Sequence, residues 1–303
     1  MRYLRNKRGN SSIILLFAIT VIIALMTLTV DAGLLYLEKA KLQNTVDSVA
    51  LAAISAYSEG QVKMLEEADK YAVLNGVQLG TLDIDIREDN KRVTVTADKS
   101  IPLYFARILN ISSANVGVKA TAVTGPIVAM KGIRPFAIEA QEFIYGNTYT
   151  LKNGGGGGTT GNYGAISLGG TGSSNYRYNL KNGYKAHIIK TGDYIETETG
   201  NMDGSTFDGI SDIIASDLNE HSGDLSRLEQ DCPRLIRIPV IDSFNVEGRS
   251  TVKVVGFAAF FVEDVVKLNG KTEIKGKFVK CISEGKIDEN GVGYGLYGTK
   301  LVE

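Results

Sequence analysis

The stretch Arg8–Leu37, RGNSSIILLFAITVIIALMTLTVDAGLLYL, holds one long apolar run between a basic start and an isolated Asp31. From Ile13 to Val30, eighteen residues pass without a charge. As a helix this run is roughly 27 Å long, close to the thickness of a bilayer's hydrocarbon core. A transmembrane helix over 13–33 follows, with Ile13, Phe17, Val21, Leu25 and Val30 as anchor positions facing the lipid bilayer. Arg2, Arg5, Lys7 and Arg8 precede the run without an acidic residue, whereas Lys39 and Lys41 beyond it are offset by Asp31 and Glu38. The positive-inside rule therefore assigns residues 1–12 to a cytoplasmic basic tail and the bulk of the chain to the extracytoplasmic side of the cell membrane.

Two rival readings of the run are open. Val30 and Ala32 suit the −3 and −1 positions of a signal-peptidase site. Against cleavage, Leu35, Leu42, Val46, Val49 and Ala53 carry a helical pattern onward, with no Gly or Pro from Leu34 to Glu59. That favours one helix from about Ser12 to Ser58, apolar in its first half and amphipathic in its second. Gly9 stands where a prepilin peptidase cuts, but Ile14 occupies the place of the glutamate such sites carry five residues on.

Arg8-Gly9, the apolar run, Asp31-Ala32-Gly33, Tyr36-Leu37, Leu42-Gln43, Asp47 and Ala50-Leu51-Ala52-Ala53 together resemble the N-terminal domain of the tight-adherence, TadE/TadG-like pilus-assembly proteins. The missing glutamate makes the stretch more similar to the larger anchored TadG-like members than to the processed TadE-like pilins. The resemblance implies a structural component of a Tad/Flp-type pilus or related secretion system, with other pilus-assembly or envelope proteins as partners. An anchored surface adhesin or ligand-binding module is the alternative. Gln43, Asn44 and Asp47 form a polar group opposite the Leu42/Val46/Val49 stripe. They are either a solvated face or the contact for a partner helix, which would make the N-terminal helix a homo- or hetero-oligomer interface.

Beyond the anchor the expected fold class is α+β. Residues 34–125 read as a small unit of helix, two strands, helix and strand. The second helix ends near Asn75-Gly76. Leu82, Ile84 and Ile86, then Val93, Val95 and Ala97, alternate as a hairpin. Ser100 is placed to cap a short helix carrying Ile101, Phe105, Ile108 and Leu109, with Pro102 in its first turn. Val116, Val118, Ala120 and Ala122 give a third strand, and Thr124–Pro126 is a candidate boundary. Residues 126–303 read as a mostly β domain, with strands near 133–138, 148–151, 165–168, 186–190, 235–241, 251–262 and 277–282. Asn269-Gly270 marks a hairpin, and one good helix carries Phe207, Ile210, Ile214 and Leu218.

The net charge of −1 gives no electrostatic case for nucleic acid. Gly156, Gly158 and Gly161 match GxGxxG formally, yet no strand precedes them and no helix follows, so a surface loop is favoured over a cofactor site. Asp203, Ser205 and Asp208 lack EF-hand spacing, and helix capping by Ser205 or Thr206 is preferred to metal binding. Asp242 in VIDSFNV lacks the serines of a DxSxS metal site. His187, on an expected strand, and His221, in a polar loop, have no third group spaced for a triad. No enzyme, cofactor or metal function is expected. Cys232 and Cys281 are either a disulfide, worth about 4 kcal/mol for its loop length, or two buried thiols.

Overall fold

The computed structural model describes residues 8–78, 80–87, 89, 91–153, 162–198, 202–217, 231–244 and 250–302. It has a long apolar N-terminal helix, three further α-helices and fourteen strands among the described residues, with a mostly β C-terminal part. The chain divides into two compact units, one of residues 1–56, 61–122 and 301–303, the other of residues 57–60 and 123–300.

In the first unit, α1 runs unbroken from Arg8 to Ser55, and α2 spans Gln61–Leu74. α2 is finished by Gly76 at φ 75°, with Gly76 N–H donating to the Val73 carbonyl and Val77 N–H to that of Ala72. Those two bonds satisfy carbonyls that the helix end would leave unmatched. Strands β1 (Asp83–Arg87) and β2 (Arg92–Pro102) form the antiparallel hairpin, Asp83 opposite Thr96 and Arg87 opposite Arg92. β3 (Ser113–Met130) lies beside β2, and the hydroxyls of Thr94 and Thr121 meet across the pair at 3.2 Å.

The core of this unit is local in sequence. Val46, Val49, Ala50, Ala53 and Ile54 of α1 pack with Met64, Ala68 and Ala72 of α2 over Val93, Val95, Ala97, Val118, Ala120 and Ala122 of the sheet. Period-two burial in β2 and helical spacing in α1 meet on one interface, which is why alanines recur there: small side chains bring helix and sheet close.

The second unit takes in β3 from residue 123, then β4 (Phe136–Glu139), β5 (Thr148–Asn153), β6 (Asn162–Ala165), α3 (Ser173–Asn182), β7 (Ile189–Lys190) and β8 (Tyr194–Glu196). α4 (Asp203–Ala215), β9 (Leu235–Ile241), β10 (Thr251–Leu268), β11 (Lys271–Val279), β12 (Cys281–Ile282), β13 (Lys286–Ile287) and β14 (Leu296–Val302) follow, β14 passing out of the unit at residue 301. Strands β11, β5, β6, β4, β9 and β10 are hydrogen-bonded in that order, and β10 pairs back onto β11, so the sheet closes into a six-stranded barrel. The β10–β11 turn is Asn269-Gly270, at φ 51° and 78°, as a two-residue type I′ hairpin requires.

Alternate residues fill the closed sheet: Ile236, Ile238 and Val240 from β9, Ala258, Phe260 and Val262 from β10, Ile274 and Phe278 from β11. Tyr176, Leu180, Ile210 and Ile213 of the two helices join the same cluster. Gly276 interrupts the β11 series because a Cβ there would run into the Phe261 carbonyl. A register shift between Val262 and Asp264 turns Glu263 outward, where it pairs with Lys277 at 2.9 Å.

Several expectations are corrected. Ser100, Ile101 and Pro102 continue β2 rather than opening a helix; Ile101 is buried, and only a 3-10 turn, Ala106–Leu109, follows. β3 runs on through Thr124–Pro126, while the division into two units falls between residues 122 and 123. The expected strand at 186–190 shrinks to β7, and His187 is exposed near the Tyr184 ring. α4 begins at Asp203, so Ser205 and Thr206 lie inside it; Thr206 shares a hydrogen bond with the Tyr176 hydroxyl instead of capping. α3 is a helix that the sequence pattern does not predict. The Gly156–Gly161 loop and His221 fall outside the described residues.

Phe278 stacks on Phe143 at 4.1 Å and meets Tyr149 and Phe260 at 4.9 Å each. Phe278→Ala is expected to destabilise the second unit by about 3–5 kcal/mol, measured by urea titration of the full chain followed by circular dichroism.

Candidate functional site

Among the described residues, nothing packs against the first half of α1. Ile13, Phe17, Val21, Leu25 and Val30 are all about half exposed or more, and the most apolar window of the helix is wholly unburied. Among the described residues this is the one helix long and apolar enough to cross a membrane. Its polar side chains are satisfied within the helix: the hydroxyls of Thr20, Thr27 and Thr29 donate to the carbonyls of Leu16, Ala24 and Leu25. Such bonds leave no side-chain donor to be solvated in hydrocarbon.

Burial begins at Asp31. Its side chain is 4% exposed, although Ala32 and Gly33 beside it are exposed. Oδ1 accepts the N–H of Tyr104 at 3.0 Å, and Oδ2 accepts those of Phe105 at 3.0 Å and Ala106 at 2.7 Å. These donors open the 3-10 turn Ala106–Leu109, so a carboxylate more than seventy residues away in sequence takes the capping place expected of Ser100. The turn ends at Asn110 in the left-handed region, φ 69°. Around it Tyr104, Phe105, Ile108 and Ile111 are exposed apolar side chains, Ile108 the most at 83%.

Two more polar contacts follow along the helix. Glu38 Oε2 accepts from Lys99 Nζ at 2.7 Å, and Oε1 from Lys41 Nζ at 3.3 Å. The bond from Lys99, then that from Lys41, holds the Glu38 carboxyl below its ordinary range. Gln43 Nε2 donates both to Asp47 Oδ1 and to the Lys119 carbonyl of β3, each at 2.9 Å. Of the three polar residues singled out in the sequence, Gln43 and Asp47 are thus joined to each other and half-buried, whereas Asn44 is exposed. Tyr36 and Leu37 are exposed on the same stretch of helix.

Asp31 was not singled out by sequence reasoning as a packing residue. The signal was there: Leu35, Glu38, Leu42, Val46, Val49 and Ala53 follow it at helical spacing, so the buried stripe, counted backwards, reaches Asp31.

Cys232, buried, lies just before β9, and Cys281, half-buried, opens β12. Both carry thiols and no disulfide joins them. Burial raises the Cys232 thiol above its ordinary value and pushes that of Cys281 up to about 11. Among the described residues, no three His, Cys, Asp or Glu side chains converge as metal ligands. Asp203 instead ties α4 to β11, accepting the Thr272 N–H at 3.0 Å on Oδ1 and its hydroxyl at 2.7 Å on the main-chain oxygen.

Residues 9–57 match the family model described as "Putative Flp pilus-assembly TadE/G-like". The matched segment is α1 from its second residue, with the first residues beyond it. No curated protein and no solved structure matches the chain.

Asp31→Leu is expected to keep the helix and free the three amides. Hydrogen exchange should quicken about tenfold or more at Tyr104, Phe105 and Ala106 while α2 amides hold their rates. Cys281 should react with iodoacetamide at pH 7.5 about 10²-fold more slowly than an ordinary thiol, from its small thiolate fraction alone, and faster as pH rises toward 11.

Proposed function

We propose that this chain is a membrane-anchored structural component of a Tad/Flp-type pilus or a related secretion assembly. The family match over residues 9–57 supports a pilus-related role, and the observation that carries the finer reading is the division of labour along α1. Its first half is bare and apolar; its second half is built into the α+β core. A helix of that kind makes a rigid stalk between bilayer and ectodomain, since 48 residues of continuous helix leave no hinge at the membrane surface.

In this reading the N-terminus is cytoplasmic and the two units lie outside, following the charge asymmetry around the apolar run. Asp31 then stands at the outer end of the span. Its three backbone bonds hold residues 104–106 at that level, so Tyr104, Ile108 and Ile111 contact the headgroup region, where aromatic and aliphatic side chains partition well.

Partner contacts fall on the side of α1 turned away from its own sheet. Gln43 is already bonded to Lys119, so the contact is assigned to Asn44 with Tyr36 and Leu37. Affinity purification of the tagged full chain from detergent-solubilised membranes is the test. The wild-type chain should fractionate with membranes and retain named pilus-assembly subunits. A Tyr36→Glu, Asn44→Lys double variant should fractionate identically and lose those subunits about tenfold, the loss expected when about 1.4 kcal/mol of contact energy is removed. Recovery of the chain free of membranes would reject the anchor; undiminished co-purification would reject this contact face.

A further inference from the structure

The second unit contains a cavity of about 420 Å³ that no part of the anchoring function uses. Arg134 lies just before β4 and Arg237 on β9, and the Arg134 N–H donates to the Arg237 carbonyl at 2.8 Å. The two arginines therefore stem from paired backbone positions and line one pocket. Lys131 and Lys185, both exposed, stand at its edge, and Asp231 and Glu284 complete the charged lining. Among the described residues the lining thus carries four cationic side chains and two carboxylates.

The decisive detail is Arg134. Its Nε and Nη1 are shut off from solvent and have no hydrogen-bond partner among the described residues. Burial, and then the charge of Arg237, lower this guanidinium to about 10, so it is still protonated at neutral pH. A buried cation with two unmatched donors beside a second cation is destabilising in isolation. An oxyanion in the cavity lowers both penalties, because it accepts the orphaned N–H groups once the Arg134 side chain turns toward it, and it offsets the cationic lining. Guanidinium groups suit phosphate oxygens in particular.

We propose that this pocket binds a phosphate group, as inorganic phosphate or as the phosphate of a small phosphomonoester. The cationic side chains of the described lining suit an anion, and the volume lies within the range of small-molecule sites.

Isothermal titration of the full chain in non-ionic detergent tests the site with inorganic phosphate, glycerol 3-phosphate, succinate and chloride at matched ionic strength. Saturable binding of one or both phosphate compounds, with neither succinate nor chloride reproducing it, is expected; the tighter of the two identifies the source. Arg134→Gln should weaken that binding about tenfold to a hundredfold, the loss associated with hydrogen bonds to a charged group. Lys185→Gln, at an exposed edge position, should weaken it about threefold. Lys70→Gln on α2, which removes the same charge elsewhere, should leave it unchanged. No saturable binding of either phosphate compound overturns the proposal, as does equal binding of succinate. So does unaltered affinity in a folded Arg134→Gln chain. Should Arg134→Gln fail to fold, unaltered affinity in Lys185→Gln overturns it alone.

Discussion

A single helix has to satisfy two surroundings, and the first unit is arranged around that constraint. From Ile13 to Val30 every side chain on α1 is apolar or hydrogen-bonded back to its own backbone; from Asp31 onward one stripe is buried by protein. Asp31 marks the change. A carboxylate at the end of an apolar run is costly unless fully bonded. Three backbone N–H groups meet that need, and the same bonds give a short 3-10 turn the cap its own sequence lacks.

The contacts beyond Asp31 repeat the logic at intervals. Glu38 meets Lys99 of β2, Gln43 meets the Lys119 carbonyl of β3, and between and after them Leu42, Val46, Val49 and Ala53 are buried. Exposed ion pairs contribute little on their own. Here they lie beside a packed stripe, so they fix which way round the helix sits while the apolar contacts supply the stability. The opposite side of α1 keeps Tyr36, Leu37 and Asn44 exposed.

Much of this organisation was legible in the sequence because it is local. The length of α1, the end of α2 at Asn75-Gly76, the alternation in β1 and β2, β9 from Leu235 to Ile241, and the Asn269-Gly270 hairpin all rest on periods or turn residues within a few positions. What escaped depends on distant partners. The fate of Asp31 is decided more than seventy residues away, and Ser100 looked like a cap only because the true cap was not its neighbour in sequence. α3 buries little more than Tyr176, Asn179 and Leu180, too few apolar positions to show a stripe. Closure of the barrel and the meeting of Arg134 with Arg237 are properties of strand order, which alternation does not encode.

That closure has a consequence for the order in which the chain gains structure. Every residue in the core of the first unit lies between Leu42 and Ala122, so its contacts are available once that segment has emerged. The barrel is different: β5, at residues 148–153, must find β11, at 271–279, and among the described residues no nearer strand completes the ring. Long-range pairings of this kind form slowly, because the intervening chain loses its freedom before the contact repays it. The first unit is accordingly able to fold first, while the free edge of β5 stays open until residues 271–279 have been made. During that interval this edge is the part of the molecule most exposed to mispairing, and a partner or chaperone that shields it would act there.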